Sequence, residues 1–564
     1  MSAFIHLYNM YEEELYSNCH NLAQFYLSNP EMFNVTPEIL IVVYIINGNS
    51  LWEMKHYTES QKQYEEALLL RKSLIDPVNI NYTKDVKDQS IILGVIENFN
   101  ESELKYRIAK CQVENQQAKE AYSILQSIPK PRPAKVNFMM CKVIQQCESG
   151  SDKNLITLYK EVLKKCPLAF ECIDSLLNLG VKGNEVNSLI INTTSAEGSN
   201  FEWLNLYIKG LSDINNRKHA EAINTLLSID CLKSNPRILA LIGEALYFSG
   251  DYESSYQYLK RSYDIYPFMK QGIQKYALLC DMFKKPKELE LMLRPSSLFP
   301  YEYSSTNWFV FATYLFCSLK LDKAQYFINR VLSSHQYKNV DGLILNAKIL
   351  HGNKKPNEAL VSLRNALKYE PYRFEVHRWI IEILMATDKG KDAQNQAIKT
   401  LKLLGESPRT LTIAASTFLK NPISKEKAKI YLYRALELNE FYVKAVFFLA
   451  QILIDDKETK AAIVLLEKTS SVVSNIKISL MLADLYAKSK NLSSALEQYT
   501  KVLNLDSNNR HAMNGIMSLG TTSSNSLETT ADEDFEAVEN TPRNKSDETN
   551  EDELIWSDIE MEIN

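Results

Sequence analysis

The side chains that could do chemistry are few in this sequence and are not grouped. The chain has 9 cysteines and 8 histidines in 564 residues, and no two cysteines have the Cys-x-x-Cys spacing of a redox or zinc site. Cys141 and Cys147 are six residues apart, as are Cys166 and Cys172, which places each pair on roughly opposite faces of a helix. We interpret these cysteines as buried structural thiols. Unpaired thiols in an odd number are typical of a reducing compartment, so we expect the protein in the nucleus and cytoplasm.

The sequence motifs of common catalytic and cofactor sites are missing as well. The chain contains no Gly-x-x-x-x-Gly-Lys-Ser/Thr, no Gly-x-Gly-x-x-Gly and no His-Glu-x-x-His. Adjacent carboxylates such as Asp455 and Asp456 fall at turns between amphipathic segments, where they are solvated. We therefore predict that the protein is not an enzyme and that it holds no metal and no cofactor.

Nucleic acids and membranes are also disfavoured as partners. The formal net charge is -5, and the best basic patch, residues 130–135, is short and better explained as a loop between repeats. The longest apolar stretch, residues 39–46, is eight residues long, whereas a membrane helix needs about 20. The first residues lack the basic region and apolar core of a signal peptide. We expect no nucleic acid and no membrane partner.

With these functions disfavoured, the sequence indicates a protein that acts through its surface. Its composition favours helices. It has 16 glycines and 17 prolines, about 6% of the residues, against an average of roughly 12%. β-Sandwiches and barrels need those residues in their turns, so they become improbable. The hydrophobic content of 45% is enough for a large core.

A repeat of about 34 residues gives the helices their order. Residues 241–267 follow a pattern of two amphipathic helices around Gly250-Asp251, and the pattern recurs at residues 347–371 and 483–506. From residue 102 onward, every spacing between repeats is 33 to 35 residues. The repeats begin near residues 41, 102, 136, 170, 203, 236, 270, 305, 340, 374, 409, 443 and 476. This regularity is the tetratricopeptide pattern.

Small residues at fixed positions of the repeat explain how its two helices approach each other. Position 8 is mostly Gly or Ala, as in Gly48, Gly243 and Ala347. Position 20 is alanine in eight repeats: Ala121, Ala222, Ala324, Ala359, Ala393, Ala428, Ala462 and Ala495. Since no repeat can bury its apolar faces alone, we predict an all-α, right-handed tetratricopeptide solenoid of about 13–14 helix pairs.

The predicted organisation along the chain has six parts. We expect an N-terminal helix pair or cap at 1–37, a first clear repeat at 38–75, a polar loop at 76–100, repeats at 101–202, further repeats at 203–519, and an acidic disordered tail at 520–564. From residue 521 onward there are 14 Asp and Glu against two basic residues, a balance of -12. The end of this acidic tail, Leu554 to Ile559, is apolar. It is either a short docking motif or part of a solubilising tail.

The concave face of such a solenoid is lined by position 5 of the first helices. The candidate partner contacts at this position are Tyr106, Tyr207, Phe309, Arg378 and Phe447. Aromatic residues facing a groove favour packing against a partner. The alternative is that adjacent turns of the superhelix cover them. No repeat combines Lys at position 5 with Asn at position 9, which argues against the carboxylate-binding repeats of heat-shock co-chaperones.

Several stretches beyond the generic repeat positions resemble one family. They are Tyr-Lys-Glu-Val-Leu-Lys-Lys-Cys-Pro-Leu-Ala-Phe at 159–170, Leu-Gly-Val-Lys-Gly-Asn-Glu-Val at 179–186, and Asn-Pro-Ile-Ser-Lys-Glu-Lys-Ala-Lys at 421–429. Asn-Pro-Glu-Met-Phe at 29–33 is similar too. The family is subunit 7 of the anaphase-promoting complex (cyclosome), and the resemblance spans roughly residues 1–515.

This resemblance implies a non-catalytic scaffold in a multi-subunit ubiquitin ligase that controls mitotic progression. It further implies a homodimer formed through the N-terminal repeats, about residues 1–200. Stacking on other tetratricopeptide subunits, particularly subunit 3, and contacts with small accessory subunits are also implied. The alternative function is an adaptor that binds the peptide tails of regulators in this or another complex.

Overall fold

The computed structural model describes ten segments of the chain, and all of its regular secondary structure there is helical. The described segments are residues 3–31, 35–73, 86–147, 152–194, 202–229, 234–297, 304–334, 338–419, 424–507 and 509–524. The chain divides into two compact units, an N-terminal unit at 1–218 and a C-terminal unit at 219–564. The boundary lies inside the repeat that begins near 203, whereas the sequence placed the division before that repeat.

The N-terminal unit consists of helices α1 to α12. Their bounds are α1 Ala3–Glu12, α2 Tyr16–Ser28, α3 Pro37–Glu53, α4 Tyr57–Ser73, α5 Val86–Asn98, α6 Glu101–Glu114, α7 Ala118–Gln126, α8 Ala134–Cys147, α9 Asp152–Lys165, α10 Phe170–Asn178, α11 Gly183–Thr194 and α12 Glu202–Asn215. The expected N-terminal helix pair is present as α1 and α2. The repeats then follow as consecutive helix pairs.

The C-terminal unit consists of helices α13 to α30. Their bounds are α13 His219–Leu227, α14 Pro236–Ser249, α15 Tyr252–Ile265, α16 Ile273–Met282, α17 Pro286–Ser297, α18 Ser305–Cys317, α19 Leu321–Ser334, α20 Val340–Gly352, α21 Pro356–Tyr369, α22 Phe374–Ala386, α23 Gly390–Leu404, α24 Pro408–Leu419, α25 Lys425–Leu438, α26 Val443–Asp455, α27 Thr459–Ser470, α28 Ile476–Lys488, α29 Leu492–Leu505 and α30 Arg510–Ser524. Each predicted repeat corresponds to one pair, and α30 follows the last repeat.

One prediction needs correction. Residues 76–100 were expected to form a polar loop, but α5 covers Val86–Asn98 within that stretch. Ile92 of this helix is buried in the N-terminal core, and Arg71 donates hydrogen bonds of 2.8 Å to the carbonyl oxygens of Ile96 and Phe99. The apolar residues 91, 92, 95 and 96 have the spacing of a helix face, which the polar residues before them obscured. The segment 74–85 lies outside the described residues.

Small residues inside each pair let the two helices pack closely. A Cβ atom on Gly243 of α14 would lie 2.6 Å from Cγ of Leu259 in α15, too close for any larger side chain. The eight alanines at position 20 of the repeat are all completely buried. Within the C-terminal unit, buried apolar residues between Leu332 and Leu485 form one core that successive pairs share, as in other repeat proteins.

Where the structure describes the turn between the two helices of a repeat, the backbone geometry is the same from repeat to repeat. In the α14–α15 turn, Gly250 has φ 94°, and the amide of Asp251 donates to the carbonyl of Leu246. Lys284, Lys354 and Lys457 take the glycine's place in other repeats, with φ between 48° and 65°. This is the Schellman arrangement, which satisfies the last carbonyl groups of the first helix. It places every such turn in the same orientation relative to its repeat.

Candidate binding groove in the C-terminal unit

The predicted partner contacts do not come together in one site. Tyr106 and Tyr207 belong to the N-terminal unit, whereas Phe309, Arg378 and Phe447 belong to the C-terminal unit. Phe309 has no exposed surface and lies in the core, so its assignment as a groove residue is corrected. Its helix α18 is apolar on nearly all sides, and position 5 of that helix faces the neighbouring repeats.

The other four residues differ in how much surface they keep. Tyr207 is buried, with its ring edge-on to Phe170 at 5.7 Å. Tyr106 is half-buried under the ammonium of Lys135, 5.2 Å from its ring centre, and Phe447 is half-buried on α26. Arg378 lines a groove described below. A role of these four residues in partner contact stays a prediction.

A large groove opens in the C-terminal unit between the first helices of successive repeats. Its volume is about 1040 Å³, at the upper end of the range of ligand pockets. Its apolar lining comes from α16, α18, α22 and α26 and includes Leu278, Met282, Phe316, Trp379 and Phe448. The groove is thus lined by helices of several successive repeats.

The charged side chains inside the groove are paired with one another. Lys348 donates to Asp281 at 2.9 Å and lies 5.3 Å from the ring centre of Trp379. Arg378 donates to Glu382 at 2.8 Å. The interior of the groove therefore combines apolar surface with charged side chains that are already paired. Such a surface suits a peptide segment that contains both apolar and polar residues.

The one cysteine in the groove lining is not a nucleophile. Burial raises the pKa of the Cys317 thiol, and the neighbouring carboxylate of Asp281 raises this pKa further. The thiol donates a hydrogen bond of 3.1 Å to that carboxylate. Since the thiolate is the reactive form, Cys317 stays protonated and unreactive at neutral pH. Its chemistry here is that of a hydrogen-bond donor.

A buried network of charged side chains lies beside the groove, near the connections between successive repeats. Arg373 donates to Asp341 at 2.6 Å and to Glu375 at 2.8 Å, and its side chain is 3% exposed. Lys275 lies 3.5 Å from Asp341 and 3.1 Å from Glu244. Burial alone raises the pKa of Asp341, but Lys275 and Arg373 outweigh burial and hold this pKa below its ordinary value.

Aromatic rings cover the cations of this network. The guanidinium of Arg373 lies 4.7 Å from the ring centre of Phe248 and 5.2 Å from that of Tyr247. The ammonium of Lys275 lies 5.6 Å from the same Phe248 ring. Cation–π contacts of this kind gain strength where water is excluded.

Arg409 extends this network across five repeats. It donates to the carbonyl oxygen of Phe248 at 2.9 Å, although the two residues are 161 apart in sequence. Gly250 leaves the space for it, because a Cβ atom there would overlap the guanidinium of Arg409. Tyr252 donates to Glu375 at 3.0 Å in the same place. We call the cluster of Lys275, Asp341, Arg373, Glu375, Tyr252 and Arg409 the charged clamp.

The charged clamp was not foreseen from the sequence. Gly250 was recognised only as a turn glycine, and no pattern pointed to Arg409 or Arg373. One feature of the sequence could have indicated the clamp. Asp341 and Glu375 are charged residues in the first turns of α20 and α22, where burial is expected. The pairing itself depends on which repeats meet in space.

The described segments also bear on metals and membranes. Within them no group of three or more His, Cys, Asp or Glu side chains is arranged to hold a metal ion. No helix among the described residues has the length and apolar character that crossing a membrane requires.

Comparisons with known proteins agree with this architecture. The family described as tetratricopeptide repeat matches residues 236–268 and 476–509. The curated anaphase-promoting complex subunit 7 proteins of Mus musculus and Homo sapiens are each 27% identical to this chain over 576 residues, covering 100% of this chain and 99% of the relative. The subunit 7 protein of Arabidopsis thaliana is 20% identical over 520 residues, covering 90% of this chain and 91% of its own length.

A solved structure supports the fold. The crystal structure of the APC/C hetero-tetramer Cut9-Hcn1 aligns with a TM-score of 0.52 and 13% identity, covering 92% of this chain and 96% of the other. At this identity the likeness concerns the fold alone. The chain is therefore an all-helical tetratricopeptide-repeat protein that is similar along its full length to the anaphase-promoting complex subunit 7 family.

Proposed function

We propose that this chain is a non-catalytic scaffold subunit of an anaphase-promoting complex (cyclosome), the multi-subunit ubiquitin ligase that controls mitotic progression. The observation that carries the proposal is the similarity to subunit 7 proteins over 100% of this chain and 99% of theirs. The location in nucleus and cytoplasm belongs to the same proposal.

Exposed apolar residues on the outer helices support a role in assembly. Tyr326 is 59% exposed, Ile430 66% and Val464 64%, and all three lie at position 22 of their repeats, on second helices. Large apolar side chains repeated along one surface are typical of protein interfaces. We propose that such surfaces stack on other tetratricopeptide subunits, subunit 3 among them, and on small accessory subunits.

Co-purification tests the assembly. The tagged chain, isolated from its own cells, is expected to bring down the other cyclosome subunits in constant proportion, as measured by mass spectrometry. Ile430→Glu is expected to reduce this recovery, since the charge would be buried at the interface. Val472→Glu, at a residue that is 62% exposed and lies after α27 outside position 22, is the control for the stacking surface. Recovery of the chain without any of these subunits would contradict the proposal.

Homodimerisation through the N-terminal repeats is a separate part of the proposal. The N-terminal unit exposes 61% of Phe25 and 60% of Leu69. Light scattering of the purified chain is expected to give about 130 kDa, twice the chain mass of 64.8 kDa. Phe25→Glu is expected to shift the mass toward the monomer, whereas Val464→Glu in the C-terminal unit is expected to leave the dimer intact. A wild-type chain that is monomeric at micromolar concentration would refute this part.

The groove favours a second candidate function, that of an adaptor for peptide tails. Its interior combines paired charges with apolar surface, the usual features of peptide-binding sites. Gln451, an exposed residue of the lining, offers a test that spares the core. Gln451→Tyr is expected to abolish capture of regulator peptides while co-purification with cyclosome subunits continues. Loss of assembly together with capture would favour the scaffold alone.

A further inference from the structure

The charges of the chain are separated along its length. Residues 219–520 contain 40 Lys and Arg against 29 Asp and Glu, a balance of +11. Residues 521–564 have a balance of -12, and residues 1–218 have one of -4. The most basic part of the chain is therefore joined directly to the most acidic part. At low and moderate salt such charges attract over about 10 Å.

Lysines of the C-terminal unit lie in the turns that border the groove. The groove lining includes Lys284 and Leu319 from two turns between first and second helices, and Gly352, Ala386 and Lys425 from helix ends beside the next three turns. These turns therefore lie along one edge, where the groove opens. Lysines stand in the same turns, and we call them the lysine rim: Lys284, Lys285, Lys320, Lys354, Lys355, Lys389 and Lys425.

The lysine rim carries an excess of positive charge. Between the helix bounds, these turns hold six of the seven lysines and one carboxylate, Asp388. Lys425, the first residue of α25, pairs with Asp455 at 3.2 Å, and Lys355 lies 3.9 Å from Glu358. Six of the seven rim lysines have exposed side chains. The edge that opens the groove thus attracts negative charge, while the interior, with its charges paired, favours apolar groups.

The end of the chain has the complementary composition. Residues 551–562 read Glu-Asp-Glu-Leu-Ile-Trp-Ser-Asp-Ile-Glu-Met-Glu, with Leu554, Ile555, Trp556 and Ile559 as an apolar centre between carboxylates. This segment lies outside the described residues. Its apolar centre matches the lining of the groove, and its flanking carboxylates match the lysine rim.

The chain between the fold and this segment is long enough to reach the groove. Residues 525–550 would span about 28 Å on average as a flexible chain, and up to roughly 90 Å when extended. The nearest lining helix, α26, is four packed helices from α30, which at 8–10 Å per helix pair is at most about 40 Å. A tether of matched length holds its end at a high effective concentration.

We propose that residues 551–562 bind in the groove of the C-terminal unit of the same chain, with the apolar centre against the lining and the acidic flanks on the lysine rim. The segment then competes with any other peptide for the groove. This inference does not rest on the assembly proposed above, because it concerns contacts within one chain.

Photocrosslinking of the full chain tests the proposal. With p-benzoylphenylalanine in place of Trp556, irradiation is expected to link the tail to the groove lining, with digestion products mapping to α20, α22 or α26. The crosslinked protein is expected to keep the mass of one chain on a denaturing gel. The same photoreactive residue at Phe535, in the tail but outside the segment, is expected to give at most a tenth of this yield.

Charge reversal at the rim sharpens the test. The triple variant Lys320→Glu, Lys354→Glu, Lys389→Glu is expected to lower the crosslinking yield at least fivefold. The control variant Lys368→Glu, Lys399→Glu, Lys402→Glu changes the net charge equally on the second helices α21 and α23 and is expected to keep the yield. Equal losses of crosslinking yield in both variants would show that the yield depends on the net charge of the chain. That result would overturn the role of the lysine rim.

Peptide binding provides an independent measurement. A fluorescein-labelled peptide of residues 548–564 is expected to bind the Leu554→Ala, Ile555→Ala, Trp556→Ala chain about tenfold or more tighter than the wild-type chain, since the variant's own tail no longer occupies the groove. Equal affinities, crosslinks between two chains, or crosslinks confined to other surfaces would each overturn binding within the chain.

Discussion

The groove of the C-terminal unit has two edges, and they use charge in opposite ways. At one edge, the charged clamp buries Lys275, Asp341 and Arg373 and pairs each of them at 2.6 to 3.5 Å. At the other edge, six of the seven lysines of the lysine rim are exposed, and the lysines outnumber the carboxylates in their turns. The two edges belong to the same helix pairs.

The difference follows from solvation. A buried charge is costly to strip of water and must be paired, so it fixes which repeats meet. An exposed charge keeps its water, contributes little to stability and acts at a distance on other charged groups. We infer that the clamp sets the shape of the groove, whereas the rim selects what enters it.

The largest effect is expected from breaking the clamp at Arg373. Arg373→Ala leaves Asp341 and Glu375 buried with reduced compensation, and it should destabilise the C-terminal unit by about 3–5 kcal/mol. Urea unfolding followed by circular dichroism measures the change. The matched control is Arg434→Ala, because Arg434 contacts two carboxylates, against three for Arg373, but is 53% exposed. Equal midpoints for both variants would show that burial does not distinguish the two kinds of charge.

A smaller effect is expected at the glycine that admits Arg409. Gly250→Ala places a Cβ atom against the guanidinium at a residue with φ 94°, and it should cost about 1–3 kcal/mol. Gly390→Ala serves as the control, since a Cβ atom there meets nothing within 4 Å and its backbone is helical. Thermal unfolding distinguishes the two variants. A Gly250 variant as stable as wild type would mean that Arg409 moves away at little cost.

Acid should weaken the charged clamp. The pKa of Asp341 is held below its ordinary value of 3.8 by its cations, against the effect of burial. At Glu288, hydrogen bonds from Tyr256, Lys260 and Tyr276 outweigh burial and hold the pKa below 4.5. A carboxyl with a lowered pKa stabilises the fold above its unfolded-state pKa, and this stability is lost as the pH falls through the lower folded-state pKa.

The unfolding midpoint of the C-terminal unit should therefore be flat near neutrality and decline below about pH 4. The midpoint in urea, measured from pH 7 to pH 3, tests the direction. A decline that is complete above pH 5 would assign the pH dependence to other groups.

The smallest effect is expected at the rim. Lys354 has φ 59°, a conformation that costs a residue with a Cβ atom more than it costs glycine. Lys354→Gly should therefore stabilise the unit, by less than ~1 kcal/mol because glycine also gains freedom in the unfolded chain. The control is Lys355→Gly, at a residue with φ -112°, where no gain is expected. A clear loss at Lys354 would mean that the lysine itself stabilises the turn.

Much of the fold could be predicted because its determinants are local. The alanines at position 20 and the small residues at position 8 recur at a fixed spacing, so thirteen weak signals reinforce one another. The helix α5 was missed, because a single helix outside the repeat has no second copy to support it. The αL turns at Lys284 and Lys354 were also hidden, since the usual marker of such a turn is glycine.

The sequence predicted that a groove exists, but it did not predict correctly which residues line it. The sequence placed Arg378 on the concave face, and the structure has it in the groove lining. The sequence assigned Phe309 in the same way, but Phe309 is completely buried. Position in the repeat specifies the side of a helix, whereas burial depends on how far the neighbouring repeats curve over it.

By itself, the sequence determined the repeat, the helix pairs and the separation of basic repeats from an acidic tail. These properties depend on side-chain size, helical periodicity and charge within about 34 residues of each other. Only the tertiary structure decided that Arg409 reaches Phe248 across 161 residues and that turns carrying lysines border one groove. Those contacts arise from the sum of small rotations between many repeats, and no local pattern records that sum.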